Sequence, residues 1–564
     1  MGNVFFLILR RMRAPLILLI LIYAISILGL TLIPGVDAEG RPAPPLSIFH
    51  AFYFISYTAT TIGFGEIPQA FSNGQRLWVI ACIYMSVVGW SYSILTLLAL
   101  VQDSGFQQTL STARFIWRVR RMGEPFLLIC GCGETGSTVI RALDRQGRRF
   151  VVLESSRLRV EELDLEDFKT DTPALNADAR HPENLLLAGL RHPRCQGVLA
   201  LTNSDEANLA IAITVRLLNP SIPVLARAEQ QVTADNLASF GTNHIINPFE
   251  RFADYLALAV HSPACYQLVE RLTGTPGQEL PSPLPIPPRG HWIICGYGRF
   301  GRAVAQRFAA EGLDYSIIDP KDAHEPKRLQ IVDTGTELAP LEAAGLTRAA
   351  GIVVGTENDV NNLSIAMTAR ARNPGLFVVM RQNQMANSVL FETFRAQINM
   401  VPSRIVAMEC LALLNTPLLD DFLMEARRAG ETWAQTLNDR LEQLFGRLIP
   451  ETWNIRINAQ EARAVYLELM HGGRVLLEDL GRRPDQRREP ARLLPLLLRR
   501  QEEVILLPGP DTPILPGDWL LFTGSAQARR DQRLLLFSEK VLAYLLTGDE
   551  HSGGWLWRRL ARTS

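Results

Sequence analysis

The sequence predicts a chain of two kinds of structure: an α-helical membrane segment of two spans, then two parallel α/β units in tandem. Three observations predict it. Two apolar runs, 15–33 and 77–101, are each long enough to cross a hydrocarbon core. Past residue 126 the composition turns to a soluble pattern in which a strand, a Gly-x-Gly-x-x-Gly loop and a helix occur twice. The second copy repeats the first well beyond that loop. The 564 residues leave room for several domains, and 57 basic against 57 acidic side chains give a formal net charge of zero. Neither a nucleic-acid partner nor an acidic tail is suggested.

Arg10, Arg11 and Arg13 precede the first run, which is too long for a cleaved signal peptide and has no small-residue cleavage site. By the positive-inside rule the N-terminus is cytoplasmic. Residues 34–45, rich in proline, make a turn on the outer side, and 46–60 make an apolar, aromatic helix too short to span. That is the pattern of a re-entrant pore helix. Non-helical backbone after it is permitted at membrane depth only where protein buries it or it lines a wet cavity.

The stretch after this helix is Thr58, Ala59, Thr60, Thr61, Ile62, Gly63, Phe64, Gly65 and Glu66. Glycines alternating with larger residues let a backbone run with its carbonyls turned to one side. Rings of such carbonyls, one strand per subunit, replace the water shell of a potassium ion. Thr61, Ile62, Gly63, Phe64 and Gly65 therefore read as an ion selectivity filter; the alternative is a glycine turn between two helices. The stretch resembles the potassium-channel signature of threonine, branched aliphatic, glycine, aromatic, glycine and acid. Commoner forms of that signature have valine, tyrosine and aspartate where this chain has Ile62, Phe64 and Glu66. The pore helix carries Phe52, Tyr53 and Phe54 without tryptophan. These departures bear on packing behind the filter, its stability and its inactivation.

The second run returns to the cytoplasm, where Arg114, Arg118, Arg120 and Arg121 give a second positive-inside signal. Four-residue spacing puts Gly89, Ser93, Leu97 and Val101 on one helical face. If that face lines the pore, Leu97 and Val101 fall at its inner mouth, where apolar side chains close a path by dewetting, and Gly89 is a candidate bend. The alternative is that this face packs on a neighbouring helix.

In the soluble part, the first loop holds Gly131, Gly133 and Gly136, the second Gly296, Gly298 and Gly301. Each is followed by a second strand ending in an acid, Glu154 or Asp319. Residues 197–208 match 351–362, and Arg216, Asn219, Pro220 and Arg227 recur as Arg370, Asn373, Pro374 and Arg381. The chain thus carries a duplicated Rossmann-like domain. In such a loop the first glycine turns the chain, the second lets phosphate approach the backbone, and the third lets the helix pack close. The helix N-terminus offers free N–H groups to an anion. Glu154 and Asp319 are placed for ribose hydroxyls, which favours NAD or an adenosine nucleotide; the alternative is a Rossmann fold that has lost its ligand. The copies differ where phosphate would sit, with Glu134 in the first and Arg299 in the second. A carboxylate there repels phosphate unless it turns away, whereas arginine adds a forked cation, so different ligands or affinities are expected.

Seven cysteines form no zinc-type pair of pairs, and their odd number argues against a disulfide framework. Cys130 and Cys132 read better as small buried residues beside a glycine turn than as a redox pair. The acidic stretch Glu161, Glu162, Asp164, Glu166, Asp167 and Asp171 reads better as a solvated helix face than as a calcium site, since it lacks EF-hand spacing.

Filter plus duplicated nucleotide fold resembles the prokaryotic potassium channels gated by RCK domains of the TrkA-N type. That resemblance implies a two-span potassium-channel pore with cytoplasmic α/β Rossmann-like domains in tandem. On it, 1–104 is the pore domain, 105–124 a linker to the gating ring, 125–273 the first RCK domain and 274–290 a proline-rich, semi-rigid linker. Residues 291–450 form the second RCK domain, 451–525 its C-terminal lobe and 526–564 a helical tail. It also implies a non-enzymatic homotetramer in membrane lipid with eight RCK domains in the ring, located in the inner membrane with both termini cytoplasmic. The permeant ion would be K+, with NAD, ADP or another adenine nucleotide as regulatory ligand and calcium as a further candidate. The rival readings are a regulatory component of a potassium transport system and a membrane-anchored NAD-dependent oxidoreductase. The second would need an acid–base residue and a substrate pocket beside the nicotinamide, and the sequence offers no convincing constellation of that kind.

Overall fold

The computed structural model describes residues 2–548 other than 38–40, 66–69, 243, 281–284, 323–324, 326 and 488. It divides into two compact units, Met1–Gly123 and Glu124–Ser564. In the first, helices α1 (Gly2–Leu32), α2 (Ile48–Ala59) and α3 (Asn73–Gln102) follow one another. Within α1 and α3, Arg10–Leu32 and Asn73–Gln102 have mean hydropathies of 2.6 and 1.6, long and apolar enough to cross a membrane.

The spans pack closely because small residues sit between them. A side chain at Gly29 would collide with the Trp78 indole, and a Cβ at Gly89 would lie 2.5 Å from Ile22 Cδ1. Trp78 Nε1 donates to the Ser26 carbonyl at 3.2 Å, which satisfies the indole N–H away from water. The entry to α3 is a capping box: Gln75 N–H donates to Ser72 Oγ (3.3 Å) and Ser72 N–H to Gln75 Oε1 (3.2 Å). The same side chains reach back to the exit of α1, Ser72 Oγ to the Pro34 carbonyl at 2.7 Å and Gln75 Nε2 to the Ile33 carbonyl at 3.0 Å. Leu30, Phe54, Ile55, Tyr57, Phe71 and Cys82 fill the space between the three helices. Asp103 ends α3 in extended backbone and caps α4 (Ser104–Arg120), its Oδ1 accepting the Phe106 N–H at 2.9 Å.

In the second unit, strands β1 (Phe126–Cys130), β2 (Arg149–Glu154), β3 (Ala174–Asn176), β4 (Cys195–Ala200), β5 (Val224–Arg227) and β6 (His244–Ile246) form a parallel sheet. Its order is β3-β2-β1-β4-β5-β6. The second copy, β7 (His291–Cys295), β8 (Asp314–Asp319), β9 (Gln330–Val332), β10 (Gly351–Val354), β11 (Phe377–Arg381) and β12 (Ile398–Met400), repeats that order strand for strand. Every residue of β1 and of β10 is buried, as strands covered by helices on both faces must be.

After β1 comes α5 (Glu134–Arg145), and after β6 come α6 (Pro248–His261) and α7 (Pro263–Thr273). After β7 comes α8 (Arg299–Ala310), and after β12 comes α9 (Pro402–Asn415). Helices α6 and α9 are exchanged. Phe249, Phe252, Leu256 and Val260 of α6 join the core of Trp292, Phe300, Val304 and Phe308 in the second copy. Val406, Ala407 and Cys410 of α9 pack on Val139, Ile140 and Leu143 of α5 in the first. At about 1.5–3 kcal/mol per fully buried large side chain, the four on α6 outweigh any single ion pair at this contact.

Helices α7, α10 (Pro417–Ala429) and α11 (Glu431–Phe445) bundle beneath an antiparallel sheet, β13 (Glu451–Arg456), β14 (Leu493–Arg500), β15 (Glu503–Leu506) and β16 (Trp519–Gly524), in the order β13-β16-β14-β15. Leu268, Leu272, Phe422, Leu441, Leu497 and Leu521 form their common core, so the helical end of the first copy is built into this lobe. Asp518, 1% exposed, holds the Arg500 fork at 2.9 and 2.7 Å and steadies the turn before β16. The proline-rich linker is tethered: Gly277 N–H donates to the Ile449 carbonyl (2.9 Å), Ile449 N–H to that of Gln278 (2.8 Å) and Leu280 N–H to that of Arg447 (2.9 Å). The chain ends in α12 (Ala526–Phe537) and α13 (Glu539–Thr547), and the rest of the expected tail, from 549, lies outside the described residues.

Candidate functional site

The filter stretch begins where α2 ends. Ile62 and Gly63 donate to the Tyr57 carbonyl at 3.0 and 3.2 Å, and Thr61 to that of Thr58 at 3.1 Å. Thr61, Gly63 and Gly65 have φ of 62°, 62° and 70°, whereas Ile62 and Phe64 between them keep the usual negative sign. A backbone that alternates in hand turns successive carbonyls to one side, which is what an ion ladder needs. A Cβ at Gly63 or Gly65 would meet nothing within 4 Å in the chain, so glycine is required there by the dihedral and not by space. Thr61 is β-branched and strained at positive φ, and it is held by the Thr58 bond and by its place directly after the helix. The negative end of the α2 dipole abuts the stretch, a favourable field for a cation. Glu66 lies outside the described residues.

The expected common face of α3 divides. Gly89 and Ser93 are buried, Gly89 against Ile22 of α1, whereas Leu97 and Val101 are 47% and 53% exposed. Four residues advance a helix by about 40° beyond a full turn, so three such steps carry the row about 120° away from α1. Gly89 is thus a packing point in an unbroken helix, with Ser93 Oγ bonded to its carbonyl at 2.8 Å.

Both glycine loops stand at the carboxyl end of a central strand, where strand order reverses. Gly131 and Gly296 have φ of 96° and 90°. A Cβ at Gly136 would run into the Gly131 carbonyl and one at Gly301 into that of Gly296, so the third glycine lets each helix seat on its strand. Gly133 and Gly298 are the N-caps of α5 and α8. The two acids perform one task in both copies. Glu154 Oε2 accepts the Cys132 N–H at 2.5 Å and its Oε1 the Ser156 N–H at 2.8 Å; Asp319 Oδ2 accepts the Tyr297 N–H at 2.6 Å and its Oδ1 the Lys321 N–H at 2.8 Å. Glu154 is 4% exposed, so much of its work is holding the loop.

Glu134 turns away from its own loop. Its Oε1 accepts the Met385 N–H at 2.9 Å and its Oε2 the Ser403 hydroxyl at 3.2 Å, both in the second copy. Arg299 crosses the other way, 2.7 Å from Glu229 Oε2 in the first copy. Two cations that sequence reasoning left without a role close β5 and β11. Arg227 donates to Asn203 Oδ1 (3.0 Å) and Thr135 Oγ1 (3.4 Å) at the start of α5, pairs with Glu229, and leaves its buried Nε without a partner. Arg381 lies 4.9 Å over the Phe249 ring with its own Nε unpaired, and burial holds its pKa below the usual arginine range. The signal that would have found them is a recurring arginine at the carboxyl end of a buried strand, where the loops bind.

All seven cysteines are buried and unpaired. Burial, with Glu154 nearby, pushes the Cys132 thiol up to about 12, and burial pushes Cys130 up as well, which leaves neither as a reactive thiolate. Among the described residues no group of three or more His, Cys, Asp or Glu converges to hold a metal ion. In the acidic stretch Glu161 pairs with Arg157 and Glu166 with Arg141, both at 2.7 Å.

Residues 16–103 match the ion channel family, and residues 127–248 and 292–402 each match the TrkA-N domain. Potassium channel protein 1 of Methanocaldococcus jannaschii is 24% identical over 228 residues, 40% of this chain and 66% of its own length. Probable potassium channel protein 2 of the same organism is 25% identical over 234 residues, 41% of this chain and 63% of its own. An uncharacterized protein of Methanothermus fervidus is 30% identical over 203 residues, 36% of this chain and 31% of its own. The chain thus spans between 31% and 66% of the length of these curated relatives. Similar solved structures include the GsuK channel bound to NAD, with 17% identity, TM-score 0.47, and coverage of 96% of this chain and 100% of that one. GsuK bound to ADP has 22% identity and TM-score 0.44 over 72% and 98% of the two chains.

Proposed function

We propose, for a chain that joins a two-span ion-channel segment to tandem TrkA-N domains and is homologous to potassium channel proteins, a potassium-selective pore whose opening is set by nucleotides. The observation that carries the ion-conducting half is the alternating backbone at Thr61, Ile62, Gly63, Phe64 and Gly65 between two apolar helices. Four copies would surround one ion path, and the eight TrkA-N domains of such a homotetramer would form the ring that pulls on α4. The pore lies in a lipid membrane, with both termini on the cytoplasmic side. Leu97 and Val101 are the gate residues of this reading, and Gly89 is not.

The regulatory ligand is NAD, ADP or another adenine nucleotide. Its phosphates would sit on Gly131, Gly133 and Gly136 with Arg227, or on Gly296, Gly298 and Gly301 with Arg299. Its ribose would reach Glu154 or Asp319, whose second lone pairs remain for a hydroxyl. The orphaned Nε of buried Arg227 and the open space at Gly298, where a Cβ would meet nothing within 4 Å, support this fit. The ligand moves the equilibrium between closed and open rings by its differential affinity and no more. Among the described residues no cluster of carboxylates recommends calcium. Single-channel recording of the purified protein under a potassium–sodium gradient, with NAD and ADP added in turn, tests both halves. A reversal potential near that of potassium with ligand-dependent opening is expected. Nucleotide binding without current would shift the reading to a regulatory component of a transport system.

A further inference from the structure

The two glycine loops share one carboxylate. Glu229 stands just past β5, and its Oε2 lies 2.7 Å from the Arg299 guanidinium on the second loop. Its Oε1 pairs with Nη2 of Arg227, whose Nη1 reaches Thr135 and Asn203 beside the first loop. The side chains of Arg227 and Glu229 are 9% and 13% exposed, so the pair is largely shielded from water. The backbone that carries Glu229 is pinned, its N–H held by both Asp205 oxygens at 3.0 Å and the next N–H by Asp205 Oδ2 at 2.8 Å. Arg381 adds a second buried cation near Arg299, and Glu357, 3.8 Å from Arg299, is an exposed second anion at the rim, so Glu229 is the shielded carboxylate that contacts both Arg227 and Arg299.

We infer that Glu229 is a counter-anion common to two phosphate sites and makes nucleotide binding at the two loops anticooperative. This rests on the reading that both loops take nucleotide phosphate. A phosphate at the second loop competes with Glu229 for Arg299, and one at the first loop competes for Arg227. The first ligand to bind leaves Glu229 with one cation. The second would leave a shielded carboxylate with no directly paired cation, Arg381 acting on it only from farther off, which costs far more than loosening one of two pairs. By linkage each ligand weakens the other by the same factor, whichever binds first. The exchange needs no large movement, since Arg299 is 42% exposed and free to swing from carboxylate to phosphate.

The test is calorimetric titration of ADP into the full-length protein in detergent. Gly133→Asp and Gly298→Asp each put a carboxylate in one phosphate cradle at a helix N-cap whose φ, −72° or −74°, an aspartate adopts without strain. Each single-site variant should bind one ADP per chain with that site's own affinity. The native chain should bind its second ADP about tenfold more weakly than the matching single-site variant does. In Glu229→Gln the second affinity should return to the single-site value. A native isotherm equal to the sum of the two single-site isotherms would overturn the coupling while leaving both sites standing. It needs no variant of Glu229 that might fold poorly. ADP binding by one single-site variant alone, or by none, would instead overturn the two-site reading beneath it.

Discussion

The Glu134 carboxylate, on the first glycine loop, accepts the backbone N–H of Met385 in the second copy at 2.9 Å. The loop residue that would repel a phosphate is thereby spent on holding the two copies together. Glu134→Ala removes this bond and the one to Ser403, and a loss of about 0.5–1.5 kcal/mol is expected, since the site is open to water. Glu134→Gln, which keeps one acceptor oxygen, should lose less. Thermal unfolding of the detergent-solubilised protein measures both.

Gly63 is left-handed with open space around its Cα. Gly63→Ala should therefore act through strain of about 1–2 kcal/mol per subunit rather than through a clash. The expected result is a protein that still assembles but, if the stretch is the filter proposed, discriminates poorly between potassium and sodium. Reversal potential under a potassium–sodium gradient reads it.

At Gly301 the situation is opposite, because φ is ordinary and the Gly296 carbonyl occupies the space of a Cβ. Gly301→Ala must lift α8 from β7 and move its N–H groups off the phosphate position. Nucleotide affinity of the second loop should fall at least about tenfold, the scale of one lost hydrogen bond to a charged group. Titration into the Gly133→Asp background isolates that loop.

If Leu97 lines the inner mouth as proposed, Leu97→Asp puts a charge among apolar side chains there and should raise basal opening without ligand. Unchanged closed-state current in that variant would move the gate elsewhere.

Glu409 on α9 lies 2.7 Å from Arg251 on α6, at the crossing of the exchanged helices. Burial, against the pull of Arg251 and aided by Asp420 on α10, raises its pKa to about 7. A carboxyl whose pKa is higher folded than unfolded holds its proton better in the native state. Its contribution to stability is therefore present below the unfolded value and lost as pH rises toward 7. His244, on β6, runs the other way, since burial lowers its pKa and stability is lost as pH falls through the unfolded histidine value. The difference between native and Glu409→Gln protein cancels the histidine, and the melting temperatures should converge at acid pH and separate, with the variant higher, by pH 8.

The alternating backbone after α2, both spans and both glycine loops were legible because each rests on local chemistry, namely glycine dihedrals, apolar length, and strand–loop–helix spacing. The duplication was legible from recurring residues such as Asn208 and Asn362, each of which ties its own loop to the end of the next strand. What escaped is long-range. Glu134 could be seen as out of place, yet its partners lie 251 and 269 residues away. Arg227 and Glu229 are two residues apart and look like an ordinary surface pair until Arg299 arrives from the other copy. Whether the row Gly89, Ser93, Leu97 and Val101 shares one environment stayed open in the sequence, because a four-residue row drifts around a helix and Gly89 ends against Ile22 while Leu97 and Val101 do not.

The exchanged helices carry a consequence for how the two copies diverged. In an assembly of separate identical subunits each contact surface must suit its own duplicate, so a change is felt on both sides. Here the first copy meets the second within the chain, through α6 and α9. Phe249 and Ser403, or Arg299 and Glu134, occupy corresponding places and differ without penalty, because neither has to face itself. Joining the two copies in one chain thus frees each contact surface from self-complementarity, so the two loops can differ.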